Sequence, residues 1–481
     1  MDRPRITLEA VQREIYKREY YRFFLRAWDI IEPGTEFIDN WHVKYLCDIL
    51  QEEITRIAAG KPKKQDLIIN IPPRSAKSSI VTMLLNAWAW INYPHLKFIT
   101  ASYAATLATS HSRKTRDVIE SPWYQASFPS AFHLKHDTNR ADEFENNLGG
   151  VRKAVGSGGT ITGAGGDVII ADDPLDPESA YSDTERETVN RWWNQTMYSR
   201  LNNQKIGLRI IVMQRLHEED LTGTVLKKLK GKYRLIKIPG EINSDNVSVK
   251  PKDLEAKYKK GLFFPTRYDT EILEGYKESL GSMGYANQIS QSGTPTDGTI
   301  YKRPFFRRRW KVLPARFDEV VQSWDFAFKD LKTSDFVAGQ VWGRKGAMYF
   351  LIYRLNEKLD FVASVAAVKS VSAMYPQATR ILIEDKANGP AIISSLKSKI
   401  SGIIPVKAEK SKVARAHATT PVWESGNVIL PSDPGTEDFV EQHIKFPKSK
   451  NDDEVDASNQ ALNHFIKNKP KSSVLGGMGK Q

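Results

Sequence analysis

The chain has 481 residues, 40% of them hydrophobic and 10% aromatic, which excludes a disordered polypeptide and exceeds what one hydrophobic core usually serves. Its 70 lysines and arginines outnumber 57 aspartates and glutamates, and the resulting net charge of +13 suits a polyanionic partner such as nucleic acid, or an acidic membrane surface. The lone cysteine, Cys47, excludes an intramolecular disulfide and a thiolate zinc cluster and fits a reducing compartment; the longest apolar run, Ile80 to Ile91, is too short to span a bilayer.

In chain order, a helical N-terminal segment precedes "DLIINIPP" from Asp66, which has the β-branched density of a buried strand, and "SSIVTMLLNAWAWI", which reads as a core helix. A second strand and helix follow in "LKFITASYA" and "ATLATSHSRKTRDVIE". The short apolar runs "GDVIIADDP" and "GLRIIVMQR" end in polar residues, as parallel strands buried on both faces do. Residues from about 35 to 240 therefore read as a doubly wound α/β sheet within a first domain, 1–240. Residues 241–302 are polar and rich in turn formers and read as a linker. Within 303–468, three strands ("EVVQSWDFA", "DFVAGQVWG", "AMYFLIYRL") precede a helix over 360–374. Strand "RILIEDK", helix "PAIISSLKSK", strand "GIIPVKA", helix "SKVARAHATTPVWESG" and a last helix through "DEVDASNQALNHFI" then follow. Three strands followed by alternating helix and strand is the order of an RNase H-like fold. Residues 469–481 are basic and glycine-rich and are expected to form a flexible tail.

"NIPPRSAKSS", Asn70 to Ser79, joins the first strand to its helix where a phosphate loop would lie. Such a loop surrounds phosphate oxygens with backbone N–H groups and a helix N-terminus, while a lysine meets the outer phosphates and a hydroxyl holds magnesium. Lys77 and Ser78 fill the last two roles, with Arg74, Ser75, Ala76 and Ser79 completing the candidate cradle. Against the pattern G-x-x-x-x-G-K-[ST], Ile71 and Ala76 replace both glycines, and a non-glycine residue at positive φ costs about 1–2 kcal/mol. Downstream, "DVIIADD" is a strand ending in two carboxylates: Asp172 to sit in the outer shell of magnesium, beyond its direct ligands, and Asp173 to activate the attacking water. The expected architecture is thus a P-loop NTPase-type doubly wound parallel sheet followed by an RNase H-like α/β nuclease domain.

A nuclease of that fold gathers acids from distant strands and a late helix, because two magnesium ions about 4 Å apart need hard oxygen ligands. Asp325 lies near the end of the first strand, Glu384 and Asp385 end the fourth, and Asp452, Asp453 and Asp456 open the last helix. Adjacent strand residues face opposite sides, so only one of Glu384 and Asp385 points easily into the site; Asp385 and Asp453 are slightly preferred within their pairs. Asp325, Asp385 and Asp453 are the candidate catalytic acids there, and all six are candidate metal ligands.

"PPRSAKSS", "TASYA", "GDVIIADDP" and "IVMQRLHEEDLTG", with "SWDFAFKD", "IEDKANG", "RAHATTPVWESGNVILP" and "DDEVDA", together resemble the large terminase subunit of tailed bacteriophages, over roughly residues 20 to 468. The chain departs from the family pattern at Ala76, where glycine is common, and at Asp173, often a glutamate; a shorter acid moves the attacking water and bears on turnover. The resemblance implies an ATPase that drives double-stranded DNA into a procapsid and a Mg²⁺-dependent endonuclease that cuts concatemers, with Mn²⁺ able to substitute. It further implies a small terminase subunit and the portal protein as partners, several copies on the portal, no membrane, and action in the host cytoplasm. It gives Gln214 a γ-phosphate-sensing role, makes Arg200 a candidate charge-stabilising arginine, and sets Trp41 and His42 beside the adenine. Lys407 and Arg415 become candidate phosphate contacts, and Asp335 an outer ligand. Two other readings stay open: a repair or recombination helicase–nuclease, and a DNA-binding assembly protein with an inactive nucleotide site.

Overall fold

The computed structural model describes residues 7–161, 163–242, 247–293, 300–326, 335–386, 389–407, 411–433, 435–447 and 452–468; the expected tail, 469–481, lies outside them. The chain divides into two compact bodies, Met1–Pro295 and Thr296–Gln481, each built on its own sheet.

The first body carries β1 (Asp66–Asn70), β2 (Lys97–Ser102), β3 (Leu134–Asn139), β4 (Glu143–Asn146), β5 (Val151–Gly156), β6 (Val168–Asp172), β7 (Leu208–Met213) and β8 (Tyr233–Lys237), in the order β3-β4-β5-β2-β6-β7-β1-β8. From β5 to β8 every neighbouring pair is parallel, whereas β3, β4 and β5 pair antiparallel. Every residue of β1, β6 and β7 is buried, because helices cover both faces of a parallel sheet, and this is why those strands read as unbroken apolar runs. β3–β5 escaped the sequence reading because "LKHDTN", "EFEN" and "VRKAVG" are half-solvated strands without such a run.

Three helices, Leu8–Arg18, Tyr20–Ile31 and Trp41–Ala58, precede the sheet. Tyr20, Phe23, Phe24 and Cys47 are fully buried in the core they share with Trp88 and Trp90. Among the described residues no helix is long and apolar enough to cross a membrane.

The stretch read as a linker is instead largely part of this body. Residues 247–293 include helix Thr270–Gln288, kinked at Gly281 (φ 67°), and Phe263, Phe264, Tyr268 and Ile289 are buried in the first core. Gly240 N–H donates to Ile289 O at 2.8 Å, closing the segment back onto the end of the sheet. Polar composition concealed these aromatic anchors, and the division between bodies falls after Pro295.

The second body carries β9 (Arg309–Trp310), β10 (Glu319–Phe326), β11 (Asp335–Lys345), β12 (Met348–Leu359), β13 (Arg380–Glu384), β14 (Ile403–Val406) and β15 (Val428–Pro431), in the order β14-β13-β10-β11-β12-β15-β9. β10, β11 and β12 form the expected antiparallel meander, with β13 and β14 parallel beside β10. Gly339 in β11 makes room for Trp324: a Cβ there would stand 2.4 Å from the indole. The parallel additions β15 and β9 and helix Thr436–Lys445 were not read from sequence. The result is a mixed α/β chain with two parallel-rich sheets.

Candidate active sites

In the first body β7 lies between β1 and β6, so the loop after β1, the acids ending β6 and Gln214 just beyond β7 emerge at one edge of the sheet. The loop turns through left-handed backbone at Arg74 (φ 59°) and Ala76 (φ 58°). The glycine-like conformation is therefore adopted without glycine, at a cost in strain. Ser75 Oγ donates to Pro72 O at 2.7 Å and Tyr268 Oη donates to Pro73 O, tying the loop to itself and to the 247–293 segment. Burial lowers the His42 pKa to about 4, so the ring is neutral: Nε2–H meets Ser75 O at 3.0 Å and Nδ1 accepts from Asn40 Nδ2 at 2.9 Å. The helix that follows opens with a π turn, Ser79–Met83, a form common at functional sites.

Ser78 Oγ donates to Asp172 Oδ1 at 2.9 Å, and Lys77 Nζ lies 2.9 Å from Asp173 Oδ2. Asp173 itself has φ 42° and accepts the Gln214 N–H at 3.2 Å. Burial pushes the pKa of both acids up while Lys77 pulls them down. Behind Asp172 stand two basic groups that the sequence reading missed. His111 Nδ1 is 3.4 Å from Asp172 Oδ2, its pKa lowered to about 4 by burial; Arg152 is fully buried, its pKa lowered by burial to about 9, and donates to Thr82 O at 3.0 Å. A basic residue inside the β5 stretch was the available signal. The hydroxyl of Ser78 and the carboxylate of Asp172 form a hard-oxygen pair that fits a divalent cation. Arg74 is exposed at the rim of the loop. Trp41 packs on Tyr258 and Phe263 and donates to Phe263 O at 3.1 Å, and Arg200 donates to Ile161 O at 3.3 Å and to Ser199 Oγ.

In the second body, Ser323 and Asp325 share the face of β10 that meets helix Asp453–Lys467. Gln460 on that helix donates to Ser323 Oγ (3.0 Å), Leu382 O (3.1 Å) and Trp324 O (3.4 Å), and Ser323 Oγ donates to Ala457 O at 2.7 Å. These bonds fix Asp453 and Asp456, in the first turn of the helix, over the strand ends. Trp324 pairs with Ile383, so Asp325 is level with Glu384 on the adjacent strand. Glu384 shares a face with Leu382, which is packed in the core with Val455 and Ala461 of the last helix; Asp385 is exposed.

The Asp325 carboxyl is held well above the usual carboxylate range by burial and then by Asp456, Glu384 and Asp453. Burial and Asp452 raise the Asp453 pKa to about 6. A further pair belongs to this cluster. Lys412 Nζ lies 2.8 Å from Asp452 Oδ1 and 2.6 Å from Asp456 Oδ2, while Arg415 reaches Asp456 Oδ1 (3.1 Å) and Glu384 Oε1 (3.4 Å). Sequence reasoning named Arg415 but missed Lys412, three residues before it on helix Lys412–Glu424. Lys407 is exposed at the end of β14, and Asp335 opens β11. Among the described residues no group of three or more His, Cys, Asp or Glu is gathered tightly enough to hold a metal ion as it stands. The donor chemistry, carboxylates from two strands and one helix, nevertheless suits a hard divalent cation.

Residues 322–465 match the family model described as the terminase RNase H-like domain. No curated protein matches the chain by sequence. Among solved structures, the large terminase of a thermophilic bacteriophage, in complex with ATP-gamma-S, superposes with a TM-score of 0.52 at 12% identity, covering 86% of this chain and 98% of that one. A second crystal form of the same phage enzyme gives 0.54 at 12% identity, covering 87% and 98%, and its ADP complex gives 0.51 at 12%, also covering 87% and 98%. At that identity these structures speak for the fold. Residues 322–465 thus match the terminase RNase H-like domain, and over most of its length the chain has the fold seen in a phage large terminase.

Proposed function

We propose that the chain is an ATP-driven motor that moves double-stranded DNA into a procapsid and carries its own endonuclease for cutting concatemers. The observation that carries this reading is the meeting of Lys77 with Asp173 and of Ser78 with Asp172, on a chain whose other body matches a terminase nuclease domain. In the first body, Lys77 would leave Asp173 for the outer phosphates of ATP, and Ser78 and Asp172 would hold a divalent cation, with Mg²⁺ the natural choice. Asp173, its proton affinity raised by burial, would take a proton from the attacking water. Gln214, hydrogen-bonded through its backbone to Asp173, would respond when the γ-phosphate departs, and Arg74 would follow it.

In the second body, Asp325, Glu384, Asp453 and Asp456 would hold divalent cations. Bound there, such ions supply charge neutralisation and nucleophile activation at a phosphodiester. Burial of these acids beside one another favours Glu384 over the exposed Asp385, and Asp452 would stand at the rim through Lys412. The net charge of +13 suits a duplex partner. A small terminase subunit, the portal protein and further copies of this chain on the portal complete the proposed assembly in the host cytoplasm.

The test is phosphate release from ATP by the whole chain with duplex DNA and its partners, measured beside Mg²⁺-dependent cutting. Both activities are expected. Cutting without any phosphate release would reject the motor, and unwinding of free duplex would favour a helicase–nuclease instead.

A further inference from the structure

Lys412 and Arg415 sit in the first turns of helix Lys412–Glu424, where the positive end of the helix dipole disfavours cations. What offsets this is opposite: Lys412 bridges Asp452 and Asp456, and Arg415 bridges Asp456 and Glu384. Burial alone would lower the pKa of the Lys412 ammonium, and Asp456 and Asp452 raise it instead. The helix backbone is locked in place. Thr419 Oγ1 donates to Asn459 Oδ1 at 2.6 Å, Tyr301 Oη donates to the same oxygen at 2.6 Å, and Asn463 Nδ2 donates to Arg415 O at 3.1 Å. Any movement of these cations is therefore a movement of side chains. The Lys412 side chain is 47% exposed and has an open path outward, whereas the Asp456 side chain is 1% exposed and needs a cation beside it.

Taking the proposed nuclease reading as its basis, we propose that Lys412 and Arg415 are positioning residues that occupy the carboxylates against divalent cations until a DNA phosphate draws them away, so that metal and duplex bind this body cooperatively. A divalent ion entering while both side chains remain in place would meet two like charges at its own ligands. A phosphodiester supplies the alternative anion: Lys412 meets it as a mobile point charge and Arg415 as a fork. Coupling of this kind is reciprocal, so the metal must tighten DNA binding by the factor by which DNA tightens metal binding.

The experiment is calorimetric titration of the full chain with Mn²⁺, alone and with a short phosphorothioate duplex, using Asp325→Ala for the background from the rest of the chain. The duplex should tighten Mn²⁺ binding to the parent chain about tenfold. Without duplex, Lys412→Gln and, in parallel, Arg415→Gln should bind Mn²⁺ about tenfold more tightly than the parent, with little further gain from duplex. Lys412→Arg, which keeps the charge, should preserve the parent pattern. Parent-like Mn²⁺ affinity in both Gln variants, or no effect of duplex on the parent, overturns the inference while leaving the nuclease reading standing. No Mn²⁺ binding above the background in any variant, with or without duplex, overturns both.

Discussion

The two candidate sites hold their acids in different ways. In the first body the geometry is written into backbone: left-handed residues Arg74, Ala76 and Asp173, a helix N-terminus, and one lysine on one acid. In the second, side chains from β10, β13 and two helices converge, and two cations pair with three of the acids, Glu384, Asp452 and Asp456. A site made of consecutive backbone can be recognised from a short string of residues. A site made of side chains from distant segments can be recognised only through topology, and its balancing cations are found only once the helices are placed.

The sharpest way to break this comparison is to remove one group from each site. Lys77→Ala should reduce ATP hydrolysis on the order of 10²–10³-fold, as loss of one preorganised charge on a developing oxyanion does, with DNA cutting retained. Asp325→Ala should abolish cutting, since the several kcal/mol a held metal supplies is worth about 10³-fold in rate, with phosphate release retained. Either variant losing both activities equally would mean the sites do not act separately.

Acidification should tell the bodies apart next. His42 and His111 have folded pKa values of about 4 against 6.5 unfolded, so they support the first body fully above 6.5 and lose that support as pH falls toward 4. Between pH 6.5 and 5 this amounts to about 2 kcal/mol for each. In the second body His443, lowered to about 3 by burial, loses stability in the same direction. Asp453, raised to about 6, acts oppositely, its contribution present at low pH and lost as pH rises through 6, and the raised Asp325 beside it and Asp172 and Asp173 in the first body act in the same sense. The first body should therefore soften first, read by urea denaturation at pH 7 and 5 with limited proteolysis to assign the fragment that survives.

A smaller effect concerns how the acid helix is held. Gln460→Ala leaves the carbonyls of Leu382 and Trp324 without this donor and should destabilise the second body by about 1–3 kcal/mol, measured by urea melts, while sparing ATP hydrolysis. The smallest is Ala76→Gly, which relieves left-handed strain and should stabilise the first body by about 1 kcal/mol or less without loss of phosphate release. Destabilisation instead would show that Ala76 contributes packing greater than its strain.

Much of this was legible because the decisive residues sit at strand ends. Continuous β-branched runs placed Asp172, Asp173 and Asp325 at strand ends, and alternation along β13 sets Glu384 and Asp385 on opposite faces. Which of the two faces the last helix is visible only in the neighbouring register: Leu382 lies in the core with that helix, and Glu384 follows it on the same face. Strands β3–β5 and the 247–293 segment were not legible, since half-solvated pairing and isolated aromatic anchors leave no periodic signal. Lys412 was missed for a related reason. A lysine declares its role only when the start of its helix is fixed against the carboxylates opposite.

Cys47 lies with no accessible surface on helix Trp41–Ala58, and burial pushes its thiol pKa well above the ordinary value. As the sole thiol of the chain, it makes alkylation a clock for the opening of one body only. Reagent uptake would time the loosening of the body that carries Lys77 and stay silent about the other, and a single engineered surface cysteine could be labelled on the native chain without competition from within.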